Sequence, residues 1–152
     1  MVNFCPFCEP EKERVIFDSK FSYALLDIFP VTKGHTLIIP KRHILKVEEL
    51  NHDEILDIFI SFKHVKYALE KLLKPDGFNF GLNLGEASGQ SIMHLHFHLI
   101  PRYFGDTKFI DGGIRKVVMN FIDFEIKELK SKWVENRLSN YEIEKLKELI
   151  NF

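Results

Sequence analysis

His94, His96 and His98 alternate with Leu95, Phe97 and Leu99 between Met93 and Ile100. Successive side chains of a strand point to opposite faces, so extended backbone sorts this run into a row of imidazoles and a row of large apolar groups. A helix would scatter both rows around its circumference. The run therefore demands a sheet with one face on a hydrophobic core and the other carrying the rings. The rest of the chain supplies that core: 45% of its 152 residues are hydrophobic and 28% are charged. These values are close to globular averages and far from disordered, collagen-like or disulfide-scaffold sequences. A chain of 152 residues is expected to form one compact domain with room for a short appended element, which excludes a multidomain enzyme.

Charge narrows the partners. Twenty-one Lys and Arg against twenty-two Asp and Glu leave a net charge of −1, without the broad positive field of a non-specific nucleic-acid binder. An anion must be held by local groups, and no nucleic-acid partner is expected. Apolar runs fall short of the roughly 18–20 residues that span a bilayer. Met1 to Pro10 lacks the basic and apolar regions of a signal peptide. The expectation is a soluble, cytoplasmic protein with no membrane partner.

Between Arg14 and Pro40 the chain is rich in Val, Ile, Phe and Leu and is interrupted by Asp18-Ser19-Lys20 and by Pro30 to Gly34, which predicts strands near Val15–Asp18, Tyr23–Phe29 and Thr36–Ile39. Asn51 and Glu54 have the spacing of a capping box. They precede Ile55, Ile58, Phe59, Phe62, Val65, Leu69, Leu72 and Leu73, which recur at helical spacing until Pro75 and Gly77 end the helix near Lys74. Strands follow at Phe78–Leu84 and Ile92–Ile100. The tail from Phe121 reads as helix, with Ser139 and Glu142 as a second capping box. One long helix with a mostly antiparallel sheet gives an α+β fold, with a domain over residues 1–120 and a helical extension over 121–152.

Same-face neighbours on a strand are about 6.7 Å apart, so the first and third rings lie roughly 13 Å apart at the backbone and need not share a task. Adjacent rings can chelate a metal. Alternatively, one neutral ring attacks an electrophile while its neighbour gives a proton, because imidazole titrates near neutrality. The preceding loop, Gly85 to Ser91 (GEASGQS), is flexible and rich in donors, an anion cradle that favours attack on phosphorus.

Gly89-Gln90-Ser91 followed by the alternating histidines resembles the histidine triad (HIT) family of nucleotide hydrolases and transferases. The similarity extends to Asp27, Pro30, Gly34-His35, Ile39-Pro40-Lys41-Arg42-His43 and Asn83, over roughly residues 5 to 104. It implies a HIT-like fold in which His96 is the nucleophile, forming a nucleotidyl-histidine on the α-phosphorus. His98 and Gln90 would contact the phosphate oxygens, with Gly89 and Ser91 beside them, and His35 would support the triad. Asp27 would take the ribose hydroxyls, with Asn83 nearby and Phe7, Leu26 and Ile28 as apolar walls for the base; a carboxylate suits a vicinal diol. Transferase relatives carry Gln at the third position, so His98 is more similar to the hydrolase branches. Ile100 to Asp106 with Gly112 to Arg115 resembles members linked to diadenosine polyphosphates, and Arg102 or Arg115 is a candidate for holding distal phosphates. A homodimer is implied, with a purine nucleotide or dinucleoside polyphosphate as the small-molecule partner. Adenosine phosphoramidate hydrolysis, nucleotide binding with little turnover, and a metallohydrolase using triad histidines are the alternatives.

Cys5-Pro6-Phe7-Cys8 contains both cysteines. A disulfide is not expected in a cytosolic chain, which leaves redox chemistry, metal binding or two inert thiols. Glu9 and Glu11 nearby oppose the lowered thiol pKa that redox chemistry wants. If the knuckle folds across the strands, His43 and His94 complete a closed Cys₂His₂ set. Family members with this Cys pair are similar in binding zinc there, which implies a structural zinc and no catalytic metal.

Overall fold

The computed structural model describes residues 4–107, 113–114, 131 and 133–150. Five strands, β1 (Val15–Asp18), β2 (Ser22–Leu26), β3 (Thr36–Pro40), β4 (Gly77–Gly81) and β5 (Phe97–Arg102), form one antiparallel sheet in the order β1-β2-β3-β5-β4. Helix α1 (His52–Leu73) connects β3 to β4, and α2 (Asn140–Ile150) follows late in the chain. Among the described residues, no helix is long and apolar enough to cross a membrane.

Helix α1 begins where its cap dictates: Glu54 N–H donates to Asn51 Oδ1 at 2.9 Å, and Asn51 N–H donates to Glu54 Oε2 at 2.9 Å. It ends at Lys74, whose φ of 48° is left-handed. Ile58, Val65, Ala68 and Leu69 are buried. They pack with Ala24, Leu26, Ile38 and Leu99 of the sheet, and with Leu146 and Ile150 of α2. Each such Leu or Ile adds about 1.5–3 kcal/mol of burial. Helix α2 lies on α1 and β1 of the same chain, and its start is the expected box, with Glu142 N–H donating to Ser139 Oγ and Ser139 N–H to Glu142 Oε2.

The opposite sheet face has its own cluster, in which Tyr23, Leu25, Leu37 and Ile39 surround Phe7. Every residue of β2 and β3 is buried. His98 pairs with Leu37 across the ladder and so belongs to this second face.

Four predicted strands have different limits, β3 only by the addition of Pro40. Strand β2 stops at Leu26 because Asp27 Oδ1 accepts the Phe29 N–H at 2.8 Å and turns the chain. Strand β4 covers Gly77–Gly81 and releases Leu82 to Leu84. Strand β5 starts at Phe97 rather than Ile92. Continuation of the β3–β5 ladder past Ile38 and Phe97 would bring Leu95 opposite Pro40, which has no N–H to give. Leu95 N–H instead donates to Ile44 O at 2.7 Å. His94 thus sits in a bend in which its N–H donates to Ile92 O at 2.9 Å, His96 in the irregular segment after it, and only His98 lies on the ladder. Of the expected extension, residues 121–130, 132 and 151–152 are outside the described residues.

Candidate active site

One backbone N–H sets the protons of two histidines in turn. Val31 N–H donates to His35 Nδ1 at 3.3 Å. A backbone N–H can only donate, so neutral His35 carries its proton on Nε2 and gives it to His98 Nδ1, 3.0 Å away. His98 must then hold its own proton on Nε2. That atom is buried with no hydrogen-bond partner among the described residues, an orphan donor of the kind expected at a functional site. Burial, then His35 and His96, push the His98 pKa down to about 4. Burial likewise lowers that of His35 despite Asp27, whose Oδ2 lies 3.6 Å from Nε2. Both rings are neutral at pH 7.

His96 is oriented differently. Its Nδ1 lies 2.7 Å from His94 O, and a carbonyl can only accept, so Nδ1 carries the proton and Nε2 keeps a bare lone pair. Phe7 packs edge-on against this ring at 5.1 Å between centroids, and the His98 ring lies 5.1 Å from it. A buried ring with one free lone pair beside a ring with one free N–H is equipped for nucleophilic attack assisted by hydrogen bonding.

His94 turns away from this pair. Its Nε2 donates to Pro40 O at 2.8 Å, which leaves Nδ1 bare, 3.5 Å from Cys5 Sγ and 3.7 Å from Cys8 Sγ. His43 Nδ1 lies 3.2 Å from Cys8 Sγ. The four donor atoms lie within 4.8 Å of one another, so Cys5, Cys8, His43 and His94 can hold a metal ion. Bonds of the length zinc makes to sulfur and imidazole nitrogen would put tetrahedral donors about 3.3–3.8 Å apart, close to these separations. The carbonyl anchor on the far nitrogen of His94 is the usual support of a metal-bound histidine. The Cys8 thiol is raised, first by burial and then by Cys5, opposite to what a redox nucleophile requires.

The remaining predicted residues surround the rings. Gln90 is buried and closes its own loop: its Oε1 accepts the Gly85 N–H at 2.8 Å and its Nε2 donates to Ile92 O at 3.1 Å. Gly89 has a φ of +86°, and a side chain there would approach Asn83 Nδ2. Asn83 is thereby brought to the loop, while Ser91 is exposed. Phe7 is core, behind His94 and His96. Asp27 and His35, with Leu26 and the exposed Ile28, line a cleft of about 230 Å³. Arg102 serves its own turn, paired with both carboxylate oxygens of Asp106 at 2.7 Å and bonded to Asn79 Oδ1. Arg115 is outside the described residues. Two contributors were not foreseen: Val31, which acts through its backbone and leaves no residue-type signal, and Asn136, whose Nδ2 donates to Pro30 O and Val31 O.

An antiparallel sheet backed by helices, with a proton-ordered histidine cluster beside a Cys₂His₂ set, defines an α+β domain organised around imidazole chemistry. The chain belongs to the histidine triad family: the HIT domain model matches residues 9–105. It is 32% identical over 131 residues to the AP-4-A phosphorylase of Mycobacterium tuberculosis, covering 84% of this chain and 67% of that one. It is 33% identical over 91 residues to a bis(5'-adenosyl)-triphosphatase of Dictyostelium discoideum, covering 60% and 61% respectively. A zinc-bound histidine triad protein of Mycobacterium smegmatis superposes with a TM-score of 0.62 at 25% identity, over 86% of this chain and 94% of that one.

Proposed function

We propose that the chain cleaves dinucleoside polyphosphates at the phosphorus bonded to one nucleoside, with His96 as nucleophile and water as final acceptor. One observation carries this: His96 presents a bare Nε2 while the adjacent His98 presents a buried, unpartnered Nε2–H. The Nε2 lone pair attacks the α-phosphorus, forming a P–N bond as the P–O bond to the departing polyphosphate breaks. The positive ring that results keeps Nδ1–H on His94 O, which stabilises it. His98 Nε2–H, the second N–H of the Gln90 amide and the Ser91 hydroxyl donate to phosphoryl oxygens where charge accumulates. Water then forms a P–O bond as the P–N bond breaks, the lone pair returns to His96, and the proton lost by the water passes to solvent. The cleft beside Asp27 takes the nucleoside, its carboxylate accepting from the ribose hydroxyls, with Asn83 and Gly89 bordering the phosphate loop.

Zinc suits the Cys5, Cys8, His43 and His94 set, where it would supply a structural cross-link between the N-terminal knuckle and the lead-in of β5. Asp27, His35 and His98 also lie close enough to share an ion, but Val31 and the His35–His98 bond occupy His35's nitrogens in proton sharing. A second copy suits the exposed face of α1, where Leu56, Phe59 and Ile60 stand in solvent.

The test is turnover of a panel of diadenosine polyphosphates and an adenosine phosphoramidate. His96→Ala is expected to abolish cleavage and preserve nucleotide binding within a few fold; substantial remaining turnover would refute the assignment. The likeness to a phosphorylase favours one second reading, in which inorganic phosphate takes the nucleotidyl group. Nucleoside diphosphate formed only with added phosphate would establish it, whereas nucleoside monophosphate formed without phosphate supports hydrolysis.

A further inference from the structure

The proton order of the site begins at one backbone donor, Val31 N–H, and a residue far along the chain holds that donor in place. The Pro30 carbonyl and the Val31 N–H belong to a single planar peptide group. His35 Nδ1 lies 3.3 Å from its nitrogen, and Asn136 Nδ2 lies 3.1 Å from its oxygen and 3.0 Å from Val31 O. The peptide is pinned at both ends. Rotation that withdrew the N–H from His35 would also swing the oxygen off Asn136. Asn136 lies beyond residues 9–105, which the family model matches.

We propose that Asn136 is a positioning residue for the histidine relay: by holding the Pro30–Val31 peptide it keeps His35 protonated on Nε2, and thereby His98 protonated on the nitrogen left free for substrate. The relay runs from the Asn136 amide through the peptide to His35 and on to His98, over links of 3.1, 3.3 and 3.0 Å. The neighbouring contacts on this hairpin do not touch that peptide. Trp133 packs on Phe29 at 4.8 Å between ring centroids, Lys33 pairs with Glu142, and Arg137 reaches Ile28 O at 3.4 Å. Trp133 therefore provides a control that loosens the same segment from the hairpin without removing the amide.

The consequence for turnover rests on the reading of His98 as a phosphate donor, but the tautomer claim does not. Long-range ¹H–¹⁵N spectra of the full chain distinguish protonated from bare ring nitrogens, and would be recorded for wild type, Asn136→Ala, the isosteric Asn136→Asp and Trp133→Ala. The expected result is Nε2–H at His35 and His98 in wild type and Trp133→Ala, and mixed tautomers at His35 in both Asn136 variants. With diadenosine tetraphosphate, kcat is expected to fall about tenfold in the Asn136 variants, the worth of one well-placed hydrogen bond, with KM within about twofold. Unmixed Nε2–H tautomers in the Asn136 variants would overturn the proposal, as would equal mixing in Trp133→Ala. Asn136 also lines the cleft beside Asp27, and a raised KM at unchanged kcat would overturn the proposal by making that its only role. If wild type does not turn nucleotide over, the spectra still decide the relay, and only the reading of the function fails.

Discussion

A neutral imidazole has one nitrogen that donates and one that accepts, and in this site a backbone group decides which is which on His96, His35 and His94. His94 O claims the Nδ1 proton of His96, Val31 N–H claims the Nδ1 lone pair of His35, and Pro40 O claims the Nε2 proton of His94. His35 passes its choice on to His98, so the proposed roles of nucleophile, donor and ligand fall to His96, His98 and His94. Removal of the donor by His98→Ala is expected to lower kcat about 10²–10³-fold, the usual cost of one lost donor to a developing oxyanion; steady-state kinetics measure it. His98 also links stability to pH. Its folded pKa of about 4 lies below the ordinary 6.5, so the unfolded chain binds the proton first as the pH falls. Its contribution is intact above about 6.5 and declines between there and about 4. Thermal unfolding followed against pH should show wild type losing more stability across that window than His98→Asn.

At the scale of elements, the histidine run announced extended backbone because alternation admits no other period. The place where it becomes a ladder was not legible, since that depends on Pro40, whose carbonyl also receives His94 from 54 residues away. Helix α1 was legible almost to the residue because its signals are local: a capping box at one end and Pro75 beyond the other. Asn51→Ala should cost about 1 kcal/mol, read from denaturant unfolding. Gly34 presents a harder constraint. Its φ is +85°, and an added Cβ would fall 2.6 Å from Leu73 Cδ1 and 3.1 Å from Leu69 Cδ2. Because His35 follows directly, Gly34→Ala is expected to lower the melting temperature and kcat together, with a stability loss of about 1–3 kcal/mol. Asp27 and His35 could be picked from residue type and motif, whereas their hairpin's anchorage to Asn136 joins segments with no shared sequence pattern.

For the molecule as a whole, the two sheet faces divide the work: helices bury one, and the other holds the histidines, closed by a short N-terminal segment. Phe7 is the one buried large apolar side chain of the knuckle, so the segment's attachment should depend on the Cys₂His₂ set as well as on that ring. With the proposed metal bound, chelation or Cys8→Ser is expected to lower the melting temperature by several degrees, checked by calorimetry beside elemental analysis. For the dimer proposed on the exposed α1 face, Phe59→Glu is expected to give a monomer in sedimentation. The central claim is that one ring takes the nucleotidyl group. Its most direct measurement is mass spectrometry of peptides after rapid alkaline quench of the enzyme with diadenosine tetraphosphate. A nucleoside monophosphate adduct on His96, absent from His96→Ala, is the predicted result. Turnover without any adduct, or an adduct carried by His98 or His35 instead, would contradict it.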